Sequence, residues 1–136
     1  MRVIFLAAAT TLALPLALDA SGAPFDGSQP MVCATLEVLE CEPGLRCEEE
    51  TVDNVDAPQF LQVSVQEKTI VGNRSSGTPV NAKIELVHHA EQQMFLQGVE
   101  KKWGWSMAVN EASGKMTLTI HDDASSYVIF GACTPR

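Results

Sequence analysis

Apolar and polar residues alternate at every second position through most of this chain, the period of a half-buried strand. The stretch "MVCATLEVLEC" puts Val32, Ala34, Leu36 and Val38 on one face and Met31, Cys33, Thr35 and Glu37 on the other. "PQFLQVSVQ" repeats the pattern, with Leu61, Val63 and Val65 opposite Phe60, Gln62 and Ser64. "KTIVGN" follows, and "NRSSGTP" is a loop. Five more runs of β-forming residues fill the second half: "VNAKIELVHH", "QMFLQGV", "WGWSMAV", "KMTLTIH" and "SYVIFGAC". Their connectors, "AEQ", "EKK", "NEASG" and "DDAS", are far too short for parallel crossovers, so neighbouring strands run antiparallel. Residues 81 to 93 come closest to helical spacing, and a short helix there is the alternative. The pattern therefore predicts an all-β antiparallel meander of about seven or eight strands. Closing or partly closing it into a small barrel or sandwich would remove exposed edges.

Within this frame, "WSMAVNEASGKMTLTI" reads as a core-forming hairpin. Trp105, Met107 and Val109 on one strand and Met116, Leu118 and Ile120 on the next share an apolar face, while Ser106, Lys115, Thr117 and Thr119 face away. "CEEETVDN" reads as a short acidic return strand, and "SGAPFDGSQP" as a loose, extended lead-in.

The first segment follows a different pattern. "MRVIFLAAATTLALPLALDASGA" has one basic residue, an apolar stretch from Val3 to Leu18 and then small residues, the order of a secretory signal peptide. The stretch is broken by Pro15 and is shorter than the ~20 residues of a spanning helix. Residues 1–23 are thus expected to be removed, with cleavage after Ala20 or Ala23, leaving residues 24–136 as a single β domain in the periplasm or outside the cell.

Export changes the meaning of the four cysteines, which in an oxidising compartment are expected to form disulfides. On an extended strand Cys33 and Cys41 lie ~26 Å apart and cannot bond. The Pro-Gly signal in "EPGLR" folds the chain back between Cys41 and Cys47. The expected pairs are Cys41–Cys47 across a tight loop and Cys33–Cys133 joining the two ends of the domain.

The formal net charge is −8, and losing Arg2 and Asp19 with the leader leaves it unchanged. An acidic surface repels phosphate backbones and anionic lipid, so neither nucleic acid nor a membrane surface is an expected partner. The charge is densest between Glu40 and Asp56, where Glu48, Glu49, Glu50, Asp53 and Asp56 form a candidate surface for a basic protein; a solvated acidic face is the plain alternative. In "KKWGWSM", Trp103 and Trp105 share a face that a domain with few aromatics is expected to spend on its core; Trp103, following two lysines, is the more exposed of the pair and the one that would reach a partner. No metal site is expected, because adjacent His88 and His89 point to opposite faces and "HDD" at His121 falls at a turn. The acidic run also lacks the spacing and central glycine of a calcium loop. No serine sits in a nucleophile motif and no Gly-rich loop precedes a helix, so no catalytic residue and no cofactor are expected.

From "FDGSQPMVCA" through "GWSM" and "SGKMTLTI" to the terminal "FGACTP", the chain resembles small exported proteins of Gram-negative bacteria. The resemblance implies a periplasmic location and a compact, disulfide-tied β domain; it brings no activity and no functional residues. The expected function is a non-catalytic periplasmic or secreted binding or accessory module, touching its partner through the acidic segment and loop 72–79. Two alternatives differ in what they require. A hydrolase inhibitor, against a lysozyme or protease, needs a protruding ridge, whereas a lipocalin-like carrier needs an interior pocket of roughly 300 Å³ or more.

Overall fold

The computed structural model describes residues 25–136, so the expected leader and its cleavage positions lie outside the described residues. Within them the alternating runs form strands, as their period requires. The strands are β1 (Met31–Cys41), β2 (Glu48–Glu50), β3 (Pro58–Ser64), β4 (Thr69–Arg74), β5 (Pro79–Lys83), β6 (Leu86–Ala90), β7 (Gln93–Glu100), β8 (Trp103–Asn110), β9 (Lys115–His121) and β10 (Ser126–Pro135). All belong to one antiparallel sheet in the order β5-β4-β3-β1-β10-β9-β8-β7-β6, with β2 beside β1. The chain is all-β, and no helix occurs among the described residues.

The two edge strands, β5 and β6, are consecutive in sequence and separated only by Ile84 and Glu85. The Ile84 N–H donates to the Lys68 carbonyl at 2.9 Å, next to β4, and the Glu85 N–H donates to the Gln97 carbonyl of β7 at 2.8 Å. Neighbouring residues thus bond to opposite ends of the sheet. The sheet must curl into a half-barrel whose edges meet at this corner.

This corner also explains why there are ten strands, more than the pattern suggests. The run "VNAKIELVHH" is divided at Ile84 because its two halves pair with different strands, β4 and β7. The other addition is the three-residue acidic β2, which pairs with β1 as the return strand expected from sequence. The helical alternative over residues 81 to 93 is not adopted.

Side-chain parity holds in most strands. Leu61 and Val63 of β3 are buried while Phe60 is exposed, and the β8–β9 hairpin buries Trp105, Met107, Val109, Met116 and Leu118. In β1 the parity breaks. The register with β10 slips between Thr35 and Glu37, a β-bulge that turns every later side chain to the other face. Before the bulge Met31, Cys33 and Thr35 point inward and Leu36 outward, 73% exposed; beyond it Val38, which plain alternation would turn outward, joins the interior. The expected face of Val32, Ala34, Leu36 and Val38 is split by that one extra residue.

The lead-in also differs from its expected loose form. The Phe25 N–H donates to the Glu111 carbonyl at 3.2 Å, and its ring packs against the core. It lies over Gly114, which takes a positive φ of 70° and where a Cβ would come within 2.6 Å of the ring. This end of the half-barrel is closed.

Cys33 and Cys133 face each other in the β1–β10 register and are bonded, and Cys41 is bonded to Cys47. Both pairs are those expected from the spacing. In the chain-entropy account loops of these lengths contribute ~4.7 and ~2.4 kcal/mol, before any native strain is subtracted.

Removing the long-range bridge as Cys33→Ala/Cys133→Ala is expected to lower the unfolding free energy in urea by about 2–5 kcal/mol; an unchanged midpoint would show that it does not staple the fold. The buried hairpin face gives a second check. Met107→Asp should leave the chain unfolded by circular dichroism, whereas Thr117→Asp, on the outer face, should melt within a few degrees of the parent. Equal tolerance of the two would contradict the packing.

Candidate functional site

With one end plugged by Phe25, the opposite end of the half-barrel is the place to look for a site. There the interior opens into a cavity of about 260 Å³. Its walls are inward-facing residues of the two halves of the sheet: Leu61, Ile70 and Ala82 from β3–β5, and Trp105, Leu118 and Ile129 from β8–β10. Each is a strand residue whose parity points it inward, so the apolar lining follows directly from alternation. Phe25 packs against the core at the other end, and this space remains between the sides of the half-barrel.

Two polar features interrupt the lining. Thr35 is the only buried polar residue noted among the described residues, and it is satisfied: its Oγ1 donates to the Pro58 carbonyl at 2.8 Å. The Trp105 indole is not. Its Nε1 is buried and has no hydrogen-bond acceptor among the described residues, although the side chain is only 6% exposed. A buried donor without a partner costs about 1–3 kcal/mol. Gly98 makes room for this ring. A Cβ there would lie 2.4 Å from the Lys83 carbonyl oxygen and 2.6 Å from the indole Cζ2.

The opening is rimmed by Arg74, Glu100, Trp103 and Tyr127. Trp103 and Tyr127 form a tilted aromatic pair, with centroids 6.0 Å apart and planes at 57°. The Tyr127 hydroxyl donates to Glu40 Oε1 at 2.8 Å, and this bond, with some burial, holds the phenol above its usual range. Lys102 Nζ sits 4.7 Å over the Trp103 ring and donates to Asp122 Oδ2. Asp122 Oδ1 also accepts the Ala124 and Ser125 N–H groups at 2.9 and 3.0 Å, so the "HDD" turn is built as its aspartate suggested. The Lys102–Asp122 bond ties the β7–β8 turn to the neighbouring β9–β10 turn beside the mouth.

The acidic segment and loop 72–79 meet at the same end. Asp56 Oδ1 accepts the Ser76 N–H at 2.8 Å and Oδ2 accepts the Ser76 hydroxyl at 3.1 Å, while Arg74 Nη1 donates to the Asp56 carbonyl at 3.3 Å. Asp56 thus serves as the fastener between the two segments. Glu50 Oε2 accepts from Asn54 Nδ2 at 3.0 Å, and Glu48, Glu49 and Asp53 are left exposed. Of the two tryptophans, Trp105 belongs to the interior and Trp103 is half-buried at the mouth, as their sequence contexts suggested. The histidines lie elsewhere in part: His89 Nδ1 is 2.6 Å from Glu111 Oε1 near the plugged end. Among the described residues no three metal-ligating side chains converge.

Sequence reasoning missed Arg74, Glu100 and Tyr127. Their shared feature is position, each within a residue or so of a strand end on the open side, and that depends on long-range pairing. Tyr127 did carry a weak signal as the single tyrosine of the chain.

No protein-family model matches this chain, and neither a curated protein nor a solved structure matches it. Its two disulfides, with no free cysteine, fit an oxidising, extracellular type of compartment. Among the described residues no helix is long and apolar enough to cross a membrane.

The mouth clamp yields a pH prediction. Its hydrogen bond from Lys102, followed by the two backbone N–H groups, lowers the Asp122 carboxyl from 3.8 to about 2. Because the folded value is depressed, the clamp's stabilisation is complete above the ordinary carboxylate range and is lost as pH falls through about 2. Titration followed by side-chain carboxyl NMR should place the Asp122 midpoint near 2, and Lys102→Met should return it toward 3.8. A midpoint in the ordinary range in the parent protein would mean the clamp is open in solution.

Proposed function

We propose that this protein is an exported, non-catalytic binding module, periplasmic or secreted, that holds a small, largely apolar molecule in the open end of its half-barrel. The observation that carries the reading is the cavity of about 260 Å³ at the open end, walled by apolar strand residues that include Trp105. Apolar walls with one or two placed polar groups are the usual make-up of a small-molecule site. The volume lies just below the range of about 300–1,000 Å³ common for drug-sized ligands, which favours a smaller guest. Nothing in the rim resembles a nucleophile with its base, so the reading is one of binding without chemistry.

A second reading keeps the same module but assigns it a basic protein partner, including a secreted hydrolase that it would inhibit. It is favoured by the fastening of loop 74–78 to Asp56, which joins the acidic segment and that loop into one ridge. Binding through such a ridge weakens with salt, whereas burial of a neutral guest does not.

Octanol is a suitable neutral probe. Titrating it should move the Trp105 indole Nε1–H resonance in a saturable way. Val80→Phe, which places a ring into the cavity wall, should abolish the response while leaving the melting temperature unchanged or higher. If the Trp105 signal does not move, or moves equally in the filled variant, the cavity is not a ligand site.

A further inference from the structure

The mouth of the cavity is chemically unlike its walls. Glu40 ends β1, Glu48–Glu50 form β2, and Glu100, Asp122 and Asp123 lie at the ends of β7 and β9, so acidic residues are frequent at this end, although the charged residues lining the opening itself are Glu100 and Arg74. The cations at that end are fewer, and two are already engaged: Lys102 with Asp122, and Arg74 with the Asp56 carbonyl. The salt bridges noted among the described residues are His89–Glu111 and Lys102–Asp122, and neither involves Glu100, which lines the mouth itself.

Beside Glu100 stand the two aromatic rings. The Trp103 face already takes an ammonium group, that of Lys102 at 4.7 Å, so it has the character of a cation platform. Tyr127 donates its proton to the Glu40 carboxylate, which pushes electron density into the phenol ring and strengthens its attraction for positive charge. A carboxylate and two electron-rich rings therefore surround the exit of an apolar cavity.

We propose that the mouth selects a cationic head group: the guest is an amphiphile whose apolar body fills the cavity and whose ammonium-type head rests between Glu100, Trp103 and Tyr127. This inference rests on the small-ligand reading above and adds the chemistry of the head. The field of the acidic rim draws such molecules toward the opening and repels anionic ones. Arg74 at the opening and Lys102 over Trp103 are the residues that would favour the opposite charge, and the test is arranged to let them win.

Octylammonium, octanol and octanoate share one apolar body and differ only in the head. Each is titrated at low salt while the Trp103 and Trp105 indole Nε1–H resonances are followed. Octylammonium should bind more tightly than octanol by about fivefold or more, and octanoate least tightly. Glu100→Gln should shrink the octylammonium advantage over octanol measured in the same variant, and an unchanged melting temperature certifies that the variant is folded. Added salt should weaken octylammonium alone. If octanol binds but octylammonium binds no better, or if octanoate binds best, the cationic head is refuted and the small-ligand reading stands. If none of the three moves Trp105, both fall together.

Discussion

The Cys33–Cys133 bridge and the strand pairing around it are the constraint on which the rest depends. They set the first and last strands of the domain side by side, so a meander that would otherwise be an open sheet has both chain ends at its centre. The free edges are then β5 and β6, consecutive in the chain, and the two residues between them bond to opposite ends of the sheet. Curling follows from connectivity, and an inside and an outside follow from curling. A disulfide stabilises chiefly by restricting the unfolded chain, and one spanning about a hundred residues restricts most of this domain.

Given an inside, the strand period decides what fills it. Inward rows from the two halves of the sheet form the core against which Phe25 packs, while at the other end they leave the cavity. Gly98 has a specific part in its shape, since only a residue without a side chain admits the Trp105 indole against the β5–β7 corner. The orphaned indole N–H is thus a consequence of the same corner that closes the sheet.

Charge and cavity coincide because strand ends do. In an antiparallel meander every second turn falls at one end, and here those turns carry the acidic segment, the lysine pair and the two aspartates after β9. The result is an apolar interior behind an acidic, aromatic rim. Outward-facing apolar residues, such as Leu36, Phe60 and Phe130, lie instead on the outer surface near the β1 bulge, away from this opening.

Local pattern by itself determined the antiparallel strands, the hairpin faces, the acidic return strand and both disulfide partners. Each depends on residues close in sequence, on short connectors, or on a distance set by extended backbone. Tertiary structure alone decided the rest: the bulge that turned Val38 inward, the docking of Phe25, the break at Ile84, and the gathering of Arg74, Glu100 and Tyr127 around one mouth. Those outcomes arise where segments distant in the chain compete for the same backbone partners or the same volume. Alternation says which side of a strand is apolar; only the closed sheet says what stands opposite, and how much space remains between.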